Sequence, residues 1–267
     1  MGKNPAWSWY VIWYFFVGGV AAGAYVMAAI ADLFGRDEDR RVAKVGYALA
    51  FPLVVICLVL LTLDLGVPGR ALNMFRLFKW ISPMSAGSWG LLGFGLVTLS
   101  SLILVLRDRP GDRRIRQLLA IPGGILGFFV ASYTGVLLGA TNRPIWGGNN
   151  WIGPLFLVSA VSTGVAALVL LLARSRLPEL RRVHLLAAGF EALLLVFFLQ
   201  SLGAGAMVFL NGSFAPLFWG GVVVAGLALP FGLALLGRAR AVEAAAAILV
   251  LVGGFALRYL VLASGQT

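Results

Sequence analysis

Residues 44–65 read KVGYALAFPLVVICLVLLTLDL. Between Lys44 and Asp64 no charge interrupts an apolar run of about twenty residues, the length a helix needs to cross the hydrocarbon of a bilayer. The run is therefore a membrane-spanning helix, and Asp64 sits where it ends. A carboxylate facing lipid there costs roughly 3 kcal/mol, so Asp64 is expected to face something else.

Working outward, seven further stretches match it. Spanning helices are predicted near 10–32, 44–65, 88–106, 118–140, 151–173, 185–208, 214–236 and 243–263. With 61% hydrophobic and 12% charged residues, 267 residues carry more apolar surface than one soluble core hides. The expected fold class is an all-α integral membrane protein in which 1–267 form one domain of eight helices, arranged as two four-helix bundles. Interior prolines at 52, 122 and 230 mark three helices for kinks. The first stretch ends in an A-x-A pattern at Ala29–Ala31, but it is too long and too weakly basic in front for a signal peptide. It reads as a retained helix.

Charge sets the expected orientation. The net charge of +11 is not that of a nucleic-acid-binding domain, because the bases are scattered through short loops. Fifteen of the 21 Lys and Arg residues fall after spans one, three, five and seven, with Arg116 among them. Arg70, Arg143 and Arg258 are among those counted to the other side. The positive-inside rule then places both termini outside the cytoplasm.

Polar residues collect in the outer half. Tyr14 lies about a turn into span one, Ser88 and Trp89 open span three, and Tyr133 lies eight residues before Thr141, about 12 Å below the outer mouth. The loops above them, 66–87 and TNRPIWGGNN at 141–150, are rich in aromatics and bases. They suit an interfacial surface or a docking face, or an ordinary aromatic belt formed by Trp80, Trp146 and Trp151. Asp64 with Arg70 also reads as a structural ion pair at a helix end.

Other polar positions carry plainer readings. Cys57 is the one cysteine and reads as a buried, inert thiol; His184, the one histidine, reads as a membrane-edge residue near lipid phosphates. A chain with these counts supplies neither paired haem ligands nor a cluster site by itself. Glu191, two turns into span six, is a candidate proton-transfer residue, or a protonated acid bonded to a neighbouring helix. Asp32 and Glu243 are expected to be solvated, or to serve helix ends, near the inner interface. Gly19 with Gly23, and Gly123 with Gly127, have the spacing of close helix packing.

FFVGGVAAGAY (15–25), LDLGVPGRALNM (63–74), SPMSAGSWG (82–90), YTGVLLGATNRPIW (133–146), FLVSAVSTG (156–164) and LRYLVLASGQ (257–266) together resemble the NrfD-like family, the membrane subunits of polysulfide reductase and related quinone-linked complexes. The resemblance implies a site for menaquinone or another quinone near the outer face. It also implies an iron-sulfur, ferredoxin-like subunit docked outside, and a molybdopterin or other catalytic subunit beyond it. Iron-sulfur clusters and molybdopterin then belong to those partners, and this chain contributes to a quinone-dependent oxidoreductase in the cytoplasmic membrane of a prokaryote.

Carried onto this chain, the resemblance makes Tyr133 the donor to a quinone carbonyl and Asp64 the residue exchanging the accompanying protons. Tyr14, Ser88 and Trp89 complete the expected quinone-binding set, with Tyr14 standing where some relatives place a histidine. Two other classes stay open at this level. A transporter or proton-conducting subunit would line a path with Glu191, Gln200 and Asp64, and a membrane anchor for a redox partner would have no quinone site.

Overall fold

A computed structural model describes residues 7–65, 82–143, 145–172, 178–236 and 239–266. Eight helices in it are long and apolar enough to cross a membrane. They are α1 (Trp9–Phe34), α2 (Arg40–Asp64), α3 (Pro83–Arg107), α4 (Asp112–Gly139), α5 (Ile152–Leu171), α6 (Pro178–Leu202), α7 and α8 (Arg240–Ser264). The seventh, α7, is π-helical over Leu217–Ala228 and α-helical over Leu229–Leu236. Nothing in the composition announces that wider winding. Pro52 and Pro122 lie inside the unbroken α2 and α4, and Pro230 follows the change of winding in α7.

Local chemistry explains several ends. Ser82 caps α3 by accepting from the Ser85 amide at 3.4 Å, and Pro83 follows where its missing N–H costs nothing. Between α3 and α4, Asp108 takes φ +43° and Gly111 φ +95°. Asp112 fixes that turn by accepting from the Arg109 amide and the Arg107 guanidinium, each at 3.0 Å.

Helices α1–α4 pack into one four-helix group and α5–α8 into a second, joined where α1 and α4 meet α5 and where α1 meets α8. Burial identifies the central helix. Along its spanning stretch 83% of α1 residues are buried, against 28% in α2 and α3, which turn their remaining faces to lipid. Gly23 explains how α1 enters: a Cβ there would overlap the Ala160 carbonyl, with Gly164 beside it, so α1 and α5 touch backbone to backbone. Gly19 and Gly123 do something different from the expected close packing, since they make room for the side chains of Arg258 and Tyr25.

Four expectations are corrected here. Asp32 is not solvated: it is 2% exposed and receives Arg116 Nε at 2.7 Å and a second guanidinium nitrogen at 3.0 Å. Arg116 is correspondingly not a loop residue, because α4 starts at Asp112 and carries it, buried, into the first group of helices. His184 is buried as well, since α6 begins several residues before the predicted start and brings the ring inside the protein. Trp146 is no belt residue. It is fully buried, and its indole N–H donates to the Val261 carbonyl at 2.7 Å.

Candidate functional site

Both described chain ends, the α2 and α4 termini and the 141–150 loop meet at one end of the molecule. The Trp7 amide donates to Gln266 Oε1 at 2.9 Å, while the Trp7 ring packs edge-on against Phe15 and Trp146 at 6.0 and 5.5 Å. Seated under this layer, Trp146 fixes the loop behind it, and Gly148, at φ +73°, donates back to the Gly139 carbonyl. The loop borders two open clefts. One, of about 490 Å³, is lined by Thr141, Asn142 and Arg143; the other, of about 320 Å³, by Asn149, Asn150, Trp151 and Ser201.

Below this end the expected site residues gather within roughly 10 Å of the helix termini, counting 1.5 Å per residue. Tyr14 of α1 and Tyr133 of α4 are both buried. Cys57 of α2 and the Tyr14 ring both border Gly18, and the Cys57 thiol points at the Tyr14 carbonyl, 3.8 Å away. Tyr133 stacks on Phe129, one turn earlier on α4, with centroids 5.5 Å apart. Both rings lie over glycines of α3, Tyr133 over Gly87 and Phe129 over Gly90, where any side chain would collide with them. The sequence SAGSWG is thus a groove cut to the shape of two aromatic rings.

Asp64 is the last residue of α2 and is exposed at the rim, where Ser8 donates a hydrogen bond to its carboxylate. Arg70 and Trp80, and with them most of the 66–87 loop, lie outside the described residues. The Ser88 hydroxyl is turned onto its own helix and donates to the Met84 carbonyl at 2.8 Å. Trp89 is 37% exposed on the same helix.

Glu191 belongs to a separate centre in the second group of helices. It is 7% exposed and lies beside Ser159 and Ser162 of α5. Arg258 of α8 reaches the same Ser159 at 3.1 Å, and also donates to the Phe15 carbonyl at 3.1 Å and the Gly254 carbonyl at 2.8 Å. Counting Arg258 with the loop bases is therefore corrected: it is 1% exposed, and its guanidinium lies near the rings of Phe16 and Phe156. Gly19 on α1 makes the room for its guanidinium, a pairing across helices that the sequence around Arg258 does not reveal. Ser8 and Phe129 gave no signal either.

The C subunit of the polysulfide reductase of Wolinella succinogenes is 29% identical over 310 aligned residues, which take in 99% of this protein and 96% of that one. The family model described as polysulphide reductase, NrfD, matches residues 1–267, and the protein belongs to that family.

Proposed function

We propose that this protein is the quinone-binding membrane subunit of a respiratory oxidoreductase, exchanging electrons between the menaquinone or quinol pool and an iron-sulfur subunit docked on its outer face. Family membership over the full chain supports the redox reading. The observation that carries the quinone site is the pair of buried phenols, Tyr14 and Tyr133, set at one depth beneath an end bearing an exposed carboxylate. That donor set fits a quinone: phenol hydroxyls donate to carbonyl oxygens, and their rings offer flat apolar faces to a flat ligand.

A bound quinone supplies two-electron, two-proton carrier chemistry. Tyr133 donates a hydrogen bond to one carbonyl oxygen, its ring held by Phe129 and the Gly87 surface so that the hydroxyl needs little reorganisation. Tyr14 flanks the site from α1. Asp64 at the rim exchanges protons with the outer aqueous side, and Glu191 serves proton transfer deeper in the second group of helices. The loops at this end receive the iron-sulfur partner, beyond which stands a molybdopterin or other catalytic subunit. Basic loops at the opposite end put that end in the cytoplasm and both termini outside the inner membrane.

The test is quinol oxidation or quinone reduction by the purified complex with Tyr133→Phe and Asp64→Asn. Loss of turnover in both, with the complex still assembled, supports the assignment. Near-normal turnover in both would sink it.

A further inference from the structure

Ser8 stands at the N-cap of α1 with the extended backbone of a capping residue, φ −75° and ψ 165°, yet its side chain caps nothing. A serine there ordinarily accepts a hydrogen bond from an amide of the first turn. Here the hydroxyl donates instead to Oδ1 of Asp64, fifty-six residues away on α2. The first turn of α1 holds no acidic side chain of its own, so the carboxylate brought to the positive end of this helix dipole comes from α2. The residue before Ser8 is immobilised by Gln266, Phe15 and Trp146. The hydroxyl is therefore delivered from a fixed strap rather than from a loose terminus.

We propose that Ser8 is a positioning residue for Asp64: its hydroxyl holds one carboxylate oxygen, leaving the other to exchange protons at the rim. The proposal rests on the role given to Asp64 above. Because Ser8 makes no capping bond, its replacement removes the link to Asp64 without removing a cap.

The experiment uses the assembled complex in membranes, with ¹³C-labelled aspartate and infrared detection alongside turnover of a soluble quinol analogue. The Asp64 carboxylate band is identified by its loss in Asp64→Asn. Ser8→Ala is expected to shift that band and lower turnover about tenfold, the lower end of what loss of one hydrogen bond to a charged group costs. Ser8→Thr is expected to restore both. In the Asp64→Asn background Ser8→Ala should add nothing further. An unmoved band in Ser8→Ala, or effects of the two substitutions that simply multiply, overturns the proposal. Ser8→Gly repeats the comparison should the alanine variant assemble poorly. Normal turnover in Asp64→Asn would instead overturn the role of Asp64, while the band still reads the Ser8 contact by itself.

Discussion

The Tyr133 phenol lies against the bare backbone of Gly87, on a surface that a single methyl group would occupy. Gly87→Ala is therefore expected to push the ring out of its groove while leaving α3 helical, alanine being the better helix former. Turnover with quinol should fall by about tenfold to a hundredfold, as a displacement of about 1 Å at a reacting group does. Thermal stability measured in parallel should change far less. A variant with normal turnover would show that the position of the Tyr133 hydroxyl does not matter.

Arg258 donates to Ser159 in the interior of the protein, with Glu191 buried nearby. Replacing Arg258 removes its hydrogen bonds to Ser159, Phe15 and Gly254 from the interior, and a bond to a charged group contributes about 1.5–3 kcal/mol. Arg258→Met alone should thus lower the thermal midpoint of the detergent-solubilised complex markedly. Glu191→Gln alone keeps those bonds and should change the midpoint far less. If Glu191 transfers protons, Glu191→Gln will be stable and slow.

Asp108 lies outside the spanning stretches, at the left-handed end of α3, where Lys44 bonds to it at 2.5 Å. That hydrogen bond and the Lys44 charge hold its carboxyl below the ordinary value of 3.8. The sign follows: the stabilising contribution is complete above that value and is lost as pH falls through the lower folded one. Asp108→Asn, which keeps a residue tolerant of the left-handed backbone, should flatten the acid limb of thermal stability below about pH 4 and leave it unchanged at neutrality after a constant offset.

Cys57 is the protein's one cysteine and is fully buried, so the native protein should be silent to a membrane-impermeant thiol reagent. Single cysteines placed at the exposed positions Asn142 and Arg109 report the two ends separately. Asn142→Cys is expected to label in intact cells and Arg109→Cys only after lysis. The reverse pattern would invert the orientation read from the loop charges.

The eight spans are legible in the sequence because an uncharged run of about twenty residues has few other uses. The observed helices run longer than the predicted ones at several ends, since polar residues such as Asp112 and Arg113 continue a helix past the hydrocarbon. What hydropathy does not separate is a base near a helix end that reaches into water from one that turns into the protein. Arg116 and Arg258 are both of the second kind, and each depends on a partner distant in sequence, Asp32 for one and Ser159 for the other. Tyr133 stands out through the resemblance, but its seat on Gly87 does not, because a glycine in an apolar helix looks the same whether it admits a helix or a ring.

Trp146 is seated on Val261 and against Gly265, and Trp7 is tied to Gln266. The first helix and the loop after the fourth therefore reach their final form only after the last helix has entered the membrane. Residues above the buried phenols close last in biosynthesis, so a polypeptide stalled before its eighth helix would present that end unsealed, with the Trp146 indole lacking its seat on Val261.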